Sequence, residues 1–180
     1  SSGCLSIFYT FAFSSWVKVD VLDDRLRDIN SEIKIHKIPE FIKDSAMDRI
    51  LETRFDYVAD AIDTLSPKVF LIIKTYNKGY PLISSMGSGG KIEPSSVKVA
   101  DISASYNCRL AFSIRKQLNR KNIKKGFKVV FSTEKASKDA VQLVEGEENK
   151  KSIVGTISYM PPLFGIYMAS EIIKDLLVNK

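Results

Sequence analysis

Apolar residues fall at positions 19, 22, 26 and 29, with charged residues between them, which predicts an amphipathic helix over 17–29. Residues 32–38 alternate, with Ile33 and Ile35 on one face, which Lys37 could share, and Pro39 closes what reads as a strand. Phe41, Ile42, Met47, Ile50 and Leu51 return to helical spacing over 40–53. The run FDYVADAID at 55–63 is apolar until its acidic end, as suits a strand buried on both faces at the centre of a parallel sheet. Ser66 and Pro67 open another helix and Gly79 ends it, and YPLISS at 80–85 is the next strand. Beyond a glycine-rich turn at 86–93 come a strand at 97–102, a helix at 108–122 and a strand at 127–132. A polar loop at 145–151, a strand at 153–159 and a closing helix at 163–178 follow. The strand–helix–strand rhythm predicts an α/β fold with a mainly parallel sheet, and the closing helix should pack on that sheet.

Composition narrows the function more than the fold. The 180 residues suffice for one domain with a substantial core, and 44% apolar against 27% charged residues is ordinary globular usage. Cys4 and Cys108 cannot build a disulfide framework, which suggests a reducing, cytoplasmic setting. With His36 as the single histidine and no CxxC pair, a histidine-based metal site, a Ser-His-Asp triad and the paired-cysteine zinc families are disfavoured. The apolar stretch 4–13 lacks a basic flank and a cleavage signal, and is too short to span a bilayer. The uncharged run 152–170 contains Gly155, Pro161, Pro162 and Gly165; the two consecutive prolines should break any helix there, and the run reads as a buried strand followed by a core helix.

Charge is distributed unevenly. The net charge is +6, yet residues 102–133 contain no Asp or Glu and carry +8. Everything outside that segment sums to −2. A polyanion-facing surface is one explanation and a solvated face the other. At about 100° per residue, Arg109, Lys116 and Arg120 share one line, and Leu110, Ile114 and Leu118 lie on a separate arc. Tyr106 and Phe112 are near enough to stack on bases, although Phe112 reads equally well as core.

Other candidates are weaker. Asp60 and Asp63 end the FDYVADAID strand, where open α/β sheets bind ligands and a carboxylate can hold Mg²⁺ beside phosphates. Asp63 could equally cap the next helix. Glycines 87, 89 and 90 do not form GxGxxG and read as a tight crossover. Cys108 sits before a helix and beside Arg109, a setting that activates thiols, but a free cysteine is more often a small core residue. His36 reads as a surface residue.

Taken in order, DYVADAIDTLSPK, YPLISSMGSGGKIEPSSVKVADI, CRLAFSIRKQLNRKNIKK, KVVFSTE and GTISYMPPLFGIYMASEIIKDLL resemble the tRNA threonylcarbamoyladenosine dehydratases. These belong to the adenylating-enzyme superfamily that includes ubiquitin-activating, molybdopterin- and thiamine-biosynthesis enzymes. The resemblance runs from about Lys18 to the C-terminus, leaving 1–17 as an atypical N-terminal segment. It implies a Rossmann-like, mainly parallel sheet with flanking helices, lacking the first nucleotide-binding βαβ unit and its glycine loop. It also implies ATP and Mg²⁺ as cofactors, tRNA as partner, a cytoplasmic homodimer, and adenylation then cyclisation of threonylcarbamoyladenosine with loss of AMP. By the same resemblance Asp63 is the Mg²⁺/ATP aspartate, Lys18 contacts the ATP phosphates, and Ala61 and Ile62 lie near the nucleotide. Arg109, Arg115, Lys116, Arg120, Lys121, Lys124 and Lys125 would face tRNA. The alternative is a non-catalytic RNA-binding or scaffold remnant of the same fold.

Overall fold

A computed structural model of the chain describes residues 15–38, 44–135, 141–143 and 152–178. The chain divides into two compact units, residues 1–47 and 48–180. In the first, α1 (Ser15–Ile29) is the expected helix. Asn30 follows it and accepts the Glu32 N–H on its side chain at 3.0 Å. The expected strand at 32–38 is reduced to a single bridge at Ile35. Lys37 is used elsewhere: its Nζ reaches Asp20 and Asp23 of α1, each at 2.9 Å, so the segment folds back on the helix. The division of the chain falls within α2 (Asp44–Glu52), the described part of the helix expected at 40–53.

The second unit holds a four-stranded sheet in the order β1-β2-β4-β3. Strands β1 (Val58–Asp60), β2 (Leu82–Ser85) and β4 (Lys128–Ser132) are parallel, and β3 (Val97–Asp101) runs antiparallel on β4. Side chains alternate along the two inner strands. Leu82, Val129 and Phe131 face α3 (Leu65–Asn77) and α4 (Arg109–Asn119), meeting Val69, Ile72, Ala111, Ile114 and Leu118. Ile83 and Val130 face the opposite way, onto Met160, Phe164 and Met168 of α5 (Met160–Val178). Helices thus cover both faces, as a parallel sheet requires. This is the Rossmann-like α/β arrangement expected, with the closing helix on the sheet.

Three further expectations are corrected. The FDYVADAID strand lies at the edge of the described sheet rather than its centre; it is three residues long, and Ala59 and Ala61 are exposed. Its apolar composition reflects Val58 and Phe55, which join the core on the α3 side. Pro161 and Pro162 do not exclude helix: they occupy its first turn, where the N–H groups that proline lacks would have no partner. The strand expected at 153–159 is only β6 (Ser152–Val154), which pairs antiparallel with β5 (Val141–Leu143) in a separate two-stranded sheet. The polar loop at 145–151 lies outside the described residues. No described helix is long and apolar enough to cross a membrane.

Candidate functional site

Because β1, β2 and β4 are parallel, the segments that follow them open at one edge of the sheet. These are residues 61–64, the glycine-rich 86–93, and Thr133 with Glu134. The carboxyl edge of an open α/β sheet is where such folds bind ligands.

At that edge Asp60 is fully buried and saturated with donors. Ser84 Oγ, its register partner on β2, donates to Oδ2 at 2.6 Å, and the Ile62 N–H donates to Oδ1 at 2.9 Å. Lys68 Nζ lies 2.8 Å from Asp60 Oδ2, with both side chains wholly excluded from solvent. The same ammonium donates to the Ile62 carbonyl at 2.8 Å. Ile62 is therefore held at both its N–H and its C=O. Asp63 is carried one residue beyond this clamp, exposed, and accepts from Thr64 Oγ1 at 3.1 Å. The N-cap of α3 is Thr64 rather than Asp63. The two aspartates thus differ: Asp60 is buried within the fold, whereas Asp63 is exposed at the sheet edge and bonded to Thr64. Lys68 was not among the candidates from sequence. Its only signal was a lysine within the apolar run SPKVFLII, where a cation must find a buried partner.

The glycine-rich segment is tied down on both sides. Gly90, with φ +67°, donates to the Gly155 carbonyl at 2.8 Å, and Tyr159 Oη donates to Ile92 O at 2.6 Å. Glu134 Oε2 accepts the N–H groups of Ile92 and Glu93, each at 3.0 Å. Lys91 is buried and donates to the carbonyls of Asn107, at 3.1 Å, and Glu134. Burial pushes its pKa down, and Cys108 and Glu134 nearby oppose that shift. Cys108 is buried at the N-cap of α4, where Sγ accepts the Ala111 N–H at 3.5 Å. It serves there as a capping core residue. His36 is exposed, as expected.

The +8 segment is less uniform than its sequence. Lys128 is turned to Glu171 and Asp175 of α5, at 3.0 and 2.7 Å. Arg115 donates to Ser105 O at 2.8 Å and to Ser105 Oγ, so its guanidinium serves the loop before α4. Arg109, Lys116, Arg120, Lys121, Lys124 and Lys125 are exposed, and no ion pair among the described residues engages them. Leu118, Ile114 and Ala111 bury the other side of α4. Phe112 is not core: it is 63% exposed.

Lys18 lies in α1, within the first unit, and its side chain is outside the described residues. Asp63, Ala61 and Ile62 are contiguous at the sheet edge. A single exposed carboxylate suits Mg²⁺, which is held through one or two carboxylates and completed by substrate phosphates.

Comparison with known proteins identifies the family. Residues 6–180 match the ThiF family. The chain belongs to the ThiF family. It is 32% identical over 167 residues to the tRNA threonylcarbamoyladenosine dehydratase of Bacillus subtilis, covering 89% of this chain and 66% of that protein. The Escherichia coli dehydratase is 32% identical over 124 residues, covering 65% of this chain and 46% of that one. A crystal structure of the E. coli tRNA N6-threonylcarbamoyladenosine dehydratase in complex with ATP superposes with a TM-score of 0.78 at 25% identity, covering 90% of this chain and 64% of that one. This ThiF-family chain therefore spans 66% and 46% of the lengths of these two curated relatives.

Proposed function

We propose that this ThiF-family chain acts in ATP-dependent modification of tRNA. It activates the carboxylate of threonylcarbamoyladenosine for ring closure. A carboxylate oxygen attacks the α-phosphorus of ATP and pyrophosphate leaves. The neighbouring carbamoyl group then closes on the activated carbonyl carbon, giving up an N–H proton to solvent, and AMP leaves with the carboxylate oxygen. The net change on the nucleoside is the loss of water.

The observation that carries this reading is the division of labour at the sheet edge. Asp63 is the exposed carboxylate on a clamped segment, in a fold whose relative is solved with ATP. Asp63 would hold Mg²⁺, which offsets phosphate charge when bound, with Ala61 and Ile62 against the nucleotide and Lys18 on the phosphates. Arg109, Lys116, Arg120, Lys121, Lys124 and Lys125 would take the tRNA backbone, with Arg115 bracing the loop before α4. The reading extends to the cytoplasm, where a tRNA-modifying enzyme would meet its substrate, and to a homodimer, which is supported by Ile166, Ile173 and Leu177, an apolar stripe exposed on α5.

The test is ATP–pyrophosphate exchange and Mg-ATP affinity, measured on the 180-residue chain with tRNA carrying threonylcarbamoyladenosine. No GxGxxG loop occurs in the sequence to pre-organise phosphate-binding amides, so affinity is expected to be weaker than micromolar. Asp63→Ala should lower exchange at least tenfold. Exchange that is tRNA-dependent but indifferent to Asp63→Ala would remove Asp63 from the site. tRNA binding with no exchange would favour the scaffold alternative.

A further inference from the structure

We propose that the cationic face of α4 is built for an unpaired stretch of RNA, with Phe112 as the platform on which one base stacks. This inference rests on the RNA reading above and specifies which part of an RNA the face takes.

An exposed apolar side chain is by itself ordinary. Phe112 is distinguished by its neighbours. On the helical wheel the solvent arc of α4 carries Arg109, Phe112, Ser113, Lys116, Asn119 and Arg120, so Phe112 is its one apolar member. Arg109 precedes it by three residues and Lys116 follows by four, the two spacings that make side chains neighbours on a helix. Both are exposed and unpaired among the described residues. The core already has its own residues on the other arc, with Ala111, Ile114 and Leu118 each 1% exposed or less. Turning Phe112 inward was therefore never required to seal α4.

Charge complementarity selects the occupant. A protein partner for an isolated phenylalanine would have to bring carboxylates to six clustered cations. A nucleic-acid strand brings phosphates at regular spacing and a flat ring between them. In a duplex the base faces are already stacked on one another and closed to a side chain. Bases in loops and single strands can be splayed onto an aromatic ring. Tyr106 is less available, because its ring packs edge-on against Phe131 with centroids 5.7 Å apart.

The experiment compares wild type, Phe112→Ala and Phe112→Trp in filter binding to unmodified tRNA, a uridine dodecamer and a perfect RNA duplex across a salt series. Phe112→Ala should weaken binding to tRNA and the dodecamer roughly 5- to 150-fold, the range for one base–aromatic stack. Its salt slope should match wild type, because no cation is lost. Duplex affinity should be unchanged. Phe112→Trp should restore binding, and its fluorescence, after subtraction of the Trp16 background, should be quenched by the dodecamer. Equal affinities of wild type and Phe112→Ala, with a steep salt slope in both, would overturn the stacking role and leave the RNA surface standing. A loss on duplex as large as on the dodecamer would overturn it too. So would a change in sedimentation of Phe112→Ala with unaltered RNA binding, which would make the ring a protein contact. If wild type binds none of the three RNAs, the RNA reading and this inference fall together.

Discussion

Lys68 and Asp60 show how much one pair of residues decides at the sheet edge. Both are wholly buried, 2.8 Å apart, and together they take up the N–H and the C=O of Ile62. Removing one partner strands the other charge without solvent. Lys68→Met should therefore cost about 3–5 kcal/mol in a urea titration. Replacing both, as Lys68→Met with Asp60→Leu, should recover much of that loss, since apolar groups of similar volume often substitute for a buried ion pair. The double variant should still lose amide-exchange protection at Ile62, whose N–H would have no acceptor. A double variant no more stable than Lys68→Met alone would contradict this account. Phe112 makes the converse point, for an apolar residue that the fold leaves outside.

At the scale of the element, α4 separates stability from binding. Its buried arc packs in the core against the sheet, and the cations of its exposed arc make no ion pair among the described residues, so the two should respond independently to substitution. Changing Arg109, Lys116 and Arg120 together to Gln should flatten the slope of log K for tRNA against log salt by about 2–3 units, at about 0.7–0.9 per phosphate contact. Exposed charges away from special features contribute within about 0.5 kcal/mol each, so the melting temperature should hardly move. Ile114→Ala should do the reverse, costing about 2–5 kcal/mol with an unchanged salt slope. Equal, shallow slopes for wild type and the triple variant would mean the arc is only solvated.

Across the molecule, the amino edge of the sheet is fastened to α5. Lys128 at the start of β4 reaches Glu171 and Asp175, and Tyr57 Oη donates to Asp175 at 2.8 Å. The hydrogen bond from Lys128 and the one from Tyr57 hold the Asp175 carboxyl below its ordinary 3.8 against the opposing effect of burial. Lys174, then Lys128, lower Glu171 from 4.5. Burial alone would lower Lys128, but its two carboxylate partners outweigh that and raise it above 10.5. Folded-state carboxylate values that are lowered contribute stability above about pH 4–5, and that contribution is lost as pH falls through them. A raised lysine contributes below its ordinary value and loses that contribution as pH rises through the folded one. The groups are partly exposed, so about 0.2–1 kcal/mol per pair is at stake. Lys128→Met should flatten the acid limb of stability between roughly pH 5 and 3 in urea titrations. An acid limb as steep as wild type would place the pH dependence elsewhere.

The sequence by itself determined the helices, the alternation of strands with helices, the basic excess of 102–133 and the ordered motifs that resemble the dehydratases. Helical periodicity and the spacing of breakers are local properties, written within a dozen residues. α1, α3, α4 and α5 therefore lie where the spacing puts them, and Gly79, with φ +68°, ends α3 as expected. Only the tertiary structure decided which strand is the edge, that β3 runs antiparallel, and that β5 and β6 pair apart from the main sheet, because strand pairing joins residues far apart in the chain. The same holds for the site. Asp63 was legible as a carboxylate at a strand end. The buried Lys68 was not, because its partner becomes its neighbour only when α3 folds back along β1. Of the eight cations counted in sequence, folding turned Arg115 and Lys128 to the protein's own use and left six on the surface, since charge is a property of composition but its direction is a property of packing.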